Sequence, residues 1–164
     1  LVINGNIKLN PIKHGGSGTN SVESTMPEDY PERLEAGTIA TPCILGLGAG
    51  LTYVEKHFDE IRQKIEAVSK YAFDRLEELS NIILYTKYNN AKNGVIAFNV
   101  KNMQSTTVAD ILNQNGICVR SGLHCAPLKH RSLGTLENGC VRISFSHFNN
   151  TVEVDKMIEV LKTL

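Results

Sequence analysis

Several features that would define a class of function are missing from this sequence. Tryptophan is absent, and no apolar run approaches the roughly 18 residues that cross a membrane. An excess of one charge is missing too, because 17 lysines and arginines match 17 acidic residues over 164 positions. Neither a membrane nor a nucleic acid is therefore expected as a partner. No cationic segment precedes a long apolar stretch at the start of the sequence, so no signal peptide is predicted.

The cysteines lack the spacing of a zinc finger. Four are present, Cys43, Cys118, Cys125 and Cys140, and no two of them form a C-x-x-C pair. A chain of this length builds a core without disulfides, so reduced thiols in a cytoplasmic protein are expected. We expect Cys43, Cys118 and Cys140 to be buried.

The first 41 residues lack the periodicity of regular structure. Residues 1–6 predict a short strand and turn, and residues 5–41 are rich in Gly, Pro, Ser, Thr and Asn. A loop of this length is more typical of a functional or docking segment than of a passive connection. Residues 13–19 resemble a loop that cradles phosphate, although the G-x-x-x-x-G-K-[ST] pattern of a P-loop is absent.

A long amphipathic segment follows this loop. Thr41 and Pro42 are typical of a helix start, and one long helix or two helices meeting near His57 would both fit. Apolar residues recur every three or four positions, which predicts one stripe facing a core. The stripe consists of Leu47, Leu51, Val54, Phe58, Ile61, Ile65, Val68, Ala72, Leu76 and Leu79.

Strands and helices alternate in the second half. Strands are predicted over residues 82–86, 95–100, 117–121 and 140–146, and a short helix over 107–114. The pattern Asn150-x-x-Glu153 is typical of a capping box and predicts a last helix. The order α-α-β-β-α-β-β-α favours the α/β (α+β) class, as a two-layer sandwich. We expect about four mostly antiparallel strands, with the helices packed on one side.

Charge and reactive groups concentrate between Arg120 and Arg142. This segment holds four Lys/Arg and two His against one acidic residue. Cations near a thiol favour the thiolate, which is the nucleophilic form. Cys125 follows His124 in a stretch that Pro127 marks as a loop, so either a nucleophile or a packed loop cysteine fits the pattern. Further ligands at metal-like spacing are lacking, so no metal site is predicted.

Arg142 interrupts an apolar strand. A buried arginine needs a partner, so the position either faces solvent or directs its guanidinium at a carboxylate. The residues 141–144 read Val-Arg-Ile-Ser.

Taken together, these motifs resemble a known family. The run from Arg120 to Pro127, Arg-Ser-Gly-Leu-His-Cys-Ala-Pro, resembles the active-site cysteine loop of group II cysteine desulfurases of the selenocysteine lyase type. Those enzymes depend on pyridoxal 5'-phosphate and belong to the class V aminotransferases of fold type I. Residues 31–38 resemble the segment that approaches the cofactor phosphate of the other subunit, and residues 14–18 the preceding dimer loop. Residues 141–144 resemble the strand whose arginine holds the substrate carboxylate.

The resemblance implies a role for each of six residues. Cys125 would take sulfur from L-cysteine and become a persulfide, with alanine released and His124 assisting. Selenocysteine is the other implied substrate. Arg142 would hold the substrate carboxylate, and Arg120 would support the cysteine loop and the charge near it.

The family's cofactor site spans a dimer, which gives two further residues a role. Gly16 and Thr38 would contact the cofactor phosphate across a homodimer. A protein sulfur acceptor, as in iron–sulfur cluster assembly, is a further implied partner.

The resemblance also implies that the chain is the C-terminal part of a longer enzyme. The family's Schiff-base lysine lies in a Ser-x-His-Lys-like segment, and no lysine here has that setting. Residues 1–41 would be a remnant of the large cofactor domain and residues 42–164 the small C-terminal domain. The chain alone is expected to bind no cofactor and to be inactive. A class V aminotransferase, a selenocysteine lyase and a non-enzymatic dimerisation or sulfur-carrier module remain as alternatives.

Overall fold

A computed structural model describes residue 4, residues 7–19 and residues 22–164. The strand and turn predicted for residues 1–6 lie outside the described residues, except for residue 4. The chain divides into two compact units, residues 1–53 and residues 54–164. The domain boundary predicted after residue 41 stays a prediction.

The first unit is mostly irregular, as its composition predicts. Its regular structure among the described residues is a 3-10 helix, Glu32–Leu34, and the start of helix α1, Thr41–Glu77. Arg33 is buried in this unit, where it donates to the Leu9 carbonyl at 2.9 Å and pairs with Glu28.

Helix α1 contains the break that the sequence predicts near His57. The backbone of His57 leaves helical geometry, with φ −115° and ψ 16°, so two helical segments meet at a kink. The predicted core stripe holds only in the second segment, where Val68, Ala72 and Leu76 are buried. The prediction is wrong for Leu47, Leu51, Val54 and Phe58, which are exposed.

The second unit carries an antiparallel sheet of three strands. They are β1 (Ile82–Leu84), β2 (Val95–Val100) and β3 (Val141–Ser144), in the order β1-β2-β3. Ile82 pairs with Val100, and Val95 pairs with Ser144. The predicted α/β class with a mostly antiparallel sheet is confirmed.

The fourth predicted strand, residues 117–121, is reduced to one bridge. Arg120 and Arg142 exchange backbone hydrogen bonds of 3.0 and 2.7 Å. Two residues later the backbone of Gly122 turns to φ +95°, a conformation that ends an extended strand.

Four shorter helices complete the second unit. They are α2 (Tyr88–Ala91), α3 (Ser105–Gln114), α4 (Pro127–Leu133) and α5 (Thr151–Leu161). The capping box at the start of α5 is confirmed, since the Asn150 side chain accepts from the Glu153 amide and the Glu153 side chain from the Asn150 amide. The sequence predicts no helix at α2 or α4, because four and seven residues are too few to show a helical period.

One hydrophobic cluster joins the sheet to the helices. Its fully buried large members come from α1, β2, α3 and α5. They are Leu76, Ile96, Phe98, Leu112, Ile158 and Leu161. The burial of these side chains stabilises the unit, because each Å² of apolar surface removed from water contributes about 25 cal/mol.

The burial predicted for the cysteines holds for Cys140 alone. Cys43 and Cys118 are exposed, against expectation, and all four thiols are free. Cys43 lies in the exposed first turn of α1, and Cys118 lies outside the three strands of the sheet. No helix in the described part of the chain is both long and apolar enough to cross a membrane.

Candidate active site

The loop before α4 presents Cys125 to solvent. His124 and Cys125 both adopt left-handed backbone conformations, with φ of +51° and +59°. Non-glycine residues rarely adopt this conformation, and it costs roughly 1–2 kcal/mol per residue. Such strain persists only where neighbouring contacts hold it, and it is concentrated at functional sites.

Hydrogen bonds on both sides hold the loop in this shape. Gly122 exchanges backbone hydrogen bonds of 3.1 Å with Cys140, in register with the bridge between Arg120 and Arg142. On the other side, the Ala126 amide donates to the Leu123 carbonyl at 2.8 Å. The sheet therefore fixes one end of the loop and helix α4 the other.

Arg120 directs its guanidinium at the cysteine. Its Nη2 lies 3.7 Å from Cys125 Sγ, with geometry suited to a hydrogen bond to sulfur. A charged donor stabilises a thiolate more than a neutral donor does. The arrangement provides an accessible sulfur with a cation beside it.

His124 is held by two partners other than Cys125. Its Nε2 lies 3.2 Å from the Arg120 carbonyl oxygen, and its Nδ1 lies 3.8 Å from Cys140 Sγ. Burial lowers the pKa of His124, and the charges of Arg142, His130 and Arg120 lower it further, against a raising effect of the Arg120 carbonyl. The imidazole is therefore favoured in its neutral form, and both nitrogens anchor the loop.

Arg142 carries a buried donor without a partner. Its Nε is shielded from solvent and has no hydrogen-bond partner among the described residues. Leaving a buried donor unpaired costs about 1–3 kcal/mol, so an anionic group that reached it would be bound favourably. The site combines this unmet donor with the Cys125 loop, because Arg142 is paired through its backbone with Arg120.

The sequence did not predict that His130 and Cys140 lie beside His124. His130 is buried on α4, and its ring centroid lies 5.6 Å from that of His124. Cys140 precedes Arg142 by two positions, which places both on the same face of a strand. That spacing was a usable signal for Cys140, whereas nothing in the sequence pattern distinguishes His130.

Gly16 and Thr38 belong to the first unit, where their segments meet. The Gly37 amide donates to the Gly16 carbonyl at 2.8 Å, so the glycine-rich loop lies against the segment that leads into Thr38. Both residues are exposed. Their predicted contact with a cofactor phosphate stays a prediction.

A cleft of about 220 Å³ opens beside Gly16. Its lining includes three hydroxyl side chains and one carboxylate, those of Ser17, Ser24, Thr25 and Glu23. Hydroxyl and backbone donors suit a phosphate, whereas the carboxylate opposes one.

Comparison with known proteins identifies the family. Residues 4–157 match the aminotransferase class-V family. The chain therefore belongs to the class V aminotransferases.

Several curated proteins similar to this chain are named cysteine desulfurases. The chain is 37% identical over 159 residues to a cysteine desulfurase from Klebsiella pneumoniae and 34% identical over 168 residues to a probable cysteine desulfurase from Methanothermobacter thermautotrophicus. These matches cover 94% and 96% of this chain but only 38% and 40% of the relatives. The chain thus spans about two-fifths of the length of the relatives it matches.

Solved structures agree with the fold. The apo structure of a cysteine desulfurase from Thermococcus onnurineus is 34% identical and superimposes with a TM-score of 0.73, over 96% of this chain and 39% of that one. The Escherichia coli cysteine desulfurase CsdA superimposes with a TM-score of 0.79 at 22% identity, over 94% of this chain and 38% of that one. At that identity the second match supports the fold alone.

Proposed function

We propose that this chain forms the C-terminal part of a group II cysteine desulfurase dependent on pyridoxal 5'-phosphate. The observation that carries the proposal is the exposed Cys125 on a strained loop, with the Arg120 guanidinium 3.7 Å from its sulfur. The curated relatives named cysteine desulfurase, at 30–37% identity, support the same reading.

The cleft beside Gly16 fits the cofactor phosphate in part, because the hydroxyls that line it suit a phosphate and the carboxylate of Glu23 opposes one. The unpaired donor of Arg142 is left for the substrate carboxylate. When bound, pyridoxal 5'-phosphate supplies an electron sink for the pair left when the C–S bond of the substrate breaks. The lysine that holds it would come from a part of the enzyme outside this chain.

Cys125 would act as the nucleophile. Its sulfur attacks the sulfur of L-cysteine, so that an S–S bond forms and the substrate C–S bond breaks. Cys125 is left as a persulfide, and the carbon takes up a proton to leave as alanine. Arg120 would stabilise the attacking thiolate.

Arg142 and His124 would position the other groups. The Arg142 guanidinium would hold the substrate carboxylate, for which its forked geometry is suited. His124 would keep the Cys125 loop in its left-handed conformation through the Arg120 carbonyl. Gly16 and Thr38 would contact the cofactor phosphate across a homodimer, and the persulfide would serve a protein sulfur acceptor.

The experiment uses the longer enzyme with pyridoxal 5'-phosphate and L-cysteine. We expect alanine release together with a mass gain of one sulfur on the tryptic peptide that contains Cys125. Cys125→Ser should abolish both, whereas Cys118→Ser, at another exposed cysteine of the same unit, should retain both.

The alternatives give different results. An aminotransferase would release no alanine by desulfuration and would tolerate Cys125→Ser. A sulfur carrier would gain sulfur on Cys125 only from a persulfide donor, and would release no alanine and gain no sulfur from L-cysteine with the cofactor. Either result would contradict the proposed function.

A further inference from the structure

Three metal-ligand side chains converge behind the Cys125 loop. We call His124, His130 and Cys140 the His2Cys cluster. One ligand atom from each lies within 4.8 Å of the other two. His130 and Cys140 are buried, and His124 is half-buried, so little solvent competes for these atoms.

His124 presents a lone pair to the cluster. Its Nε2 faces the Arg120 carbonyl oxygen at 3.2 Å, and a carbonyl can only accept a hydrogen bond. The proton of the neutral ring therefore sits on Nε2, and Nδ1 keeps its lone pair. That Nδ1 lies 3.8 Å from Cys140 Sγ.

His130 offers its Nε2 to the cluster. Its Nδ1 lies 2.8 Å from the Thr135 hydroxyl and is engaged in that hydrogen bond. Nε2 is therefore the ring nitrogen left for a metal ion. Metal-ligating histidines almost always donate the other ring N–H to such an acceptor, because this bond fixes the tautomer and the ring orientation.

The distances suit a small, borderline-soft cation. Zinc bonds of about 2.3 Å to sulfur and 2.0–2.1 Å to nitrogen place tetrahedral ligand atoms about 3.6 Å apart. The separation of 3.8 Å between Cys140 Sγ and His124 Nδ1 is close to that value. Thiolate and imidazole ligands favour zinc over magnesium or calcium.

We propose that His124, His130 and Cys140 form a binding site for Zn²⁺, with the fourth coordination position left for water or another donor. On binding, the Cys140 thiol loses its proton to solvent, and the thiolate and two imidazoles bind the ion. The sequence predicted no metal site, because ligands at positions 124, 130 and 140 do not follow any short metal-binding spacing.

The surroundings limit the affinity. Arg142 and Arg120 lie close to the cluster and repel a cation, although Arg142 also favours the thiolate form of Cys140. Zinc binding also requires the Cys140 thiol to lose its proton.

Titration of the purified, chelator-treated chain with Co²⁺ and then Zn²⁺ tests the proposal. We expect one equivalent of Co²⁺ to give a thiolate-to-cobalt charge-transfer band, which Zn²⁺ removes. Cys140→Ser should abolish the band while keeping the side-chain volume. His130→Asn keeps a donor near the position of Nδ1 but lacks Nε2, and it should weaken Zn²⁺ binding by about 100-fold or more, since losing an outer-shell partner alone costs 10–100-fold.

Controls distinguish this site from other thiols. Cys118→Ser and Cys125→Ser should keep the band, and circular dichroism should show that each variant is folded. Long-range proton–nitrogen NMR on the unsubstituted chain should show zinc on Nδ1 of His124 and Nε2 of His130. Loss of the band in Cys125→Ser, its survival in Cys140→Ser, or no binding at one equivalent would overturn the proposal. None of these readouts requires cofactor or desulfurase activity.

Discussion

At the scale of single residues, the guanidinium of Arg120 is expected to control the reactivity of Cys125. Arg120→Gln removes the charged donor 3.7 Å from Sγ, and we expect alkylation of Cys125 to slow by up to about tenfold. Peptide mass analysis gives the rate, with Cys118 as an internal reference in the same sample. Arg131→Gln, at an exposed arginine of α4, is the matched control and should leave the rate unchanged. Equal rates in both variants would contradict the assigned role of Arg120.

His124 gives the molecule a pH dependence of known sign. Burial lowers its pKa in the folded state, so between that pKa and about 6.5 the unfolded chain binds more protons. The free energy of unfolding must then fall as pH falls through this window. Urea denaturation in metal-free buffer, between about pH 7 and pH 5, should show a smaller loss in His124→Asn than in the wild type. Asn tolerates the left-handed backbone of this position. A larger loss in the variant would contradict the assignment.

The residues of the candidate site that stand close together in the sequence could be predicted from it. Arg120, His124, Cys125 and Arg142 stand in one charged segment, and the bridge between Arg120 and Arg142 brings them together. His130 and Thr135 could not be predicted. The contact of His130 with His124 and its hydrogen bond with Thr135 depend on how α4 packs, and α4 has no sequence period long enough to detect.

At the scale of elements, two glycines test how the loop is attached to β3. A Cβ on Gly139 would lie 2.6 Å from the Gly122 Cα, and φ at this position is +61°. Gly134, at φ +70°, has nothing within 4 Å. Gly134→Ala should cost about 1–2 kcal/mol from backbone strain alone. Gly139→Ala should cost about 1–3 kcal/mol more, because the added methyl group forces the two segments apart.

Urea unfolding and Cys125 alkylation measured together separate strain from the clash. Both variants should lower the denaturation midpoint, but only Gly139→Ala should also change the alkylation rate of Cys125. Equal effects of the two variants would mean that the close approach of Gly122 and Gly139 does not hold the loop.

Elements were predictable where a pattern is long or a local signal is strong. The bounds of β2 were predicted at Val95 and Val100, and the capping box at Asn150 marks the start of α5. The strand predicted over 117–121 was wrong as a full strand because, within these bounds, only Arg120 pairs with β3; the next hydrogen-bonded pair joins Gly122 to Cys140, outside them. A period-two pattern reports which residues are apolar, but not where a partner strand ends.

At the scale of the whole molecule, the apolar stripe of α1 is buried along only part of its length. The same three-to-four spacing runs through Leu47, Leu51, Phe58 and Leu76, yet only Leu76 of these is buried. Periodicity predicts that one face is apolar and cannot show which part of the protein covers it. The chain covers 36–40% of the length of its curated relatives.

Activity is therefore expected to require more than this chain. Mixed with pyridoxal 5'-phosphate and L-cysteine, the 164-residue chain should release no alanine, because no lysine has the setting of the family's Schiff-base residue. Cys125 should still react with an alkylating agent, since its exposure and its contact with Arg120 lie within residues 54–164. A visible absorbance band is a weaker readout, because surface lysines also condense with the cofactor's aldehyde. Alanine formed in proportion to the chain, and lost in Cys125→Ser, would show that these residues suffice and that the chain needs no further part.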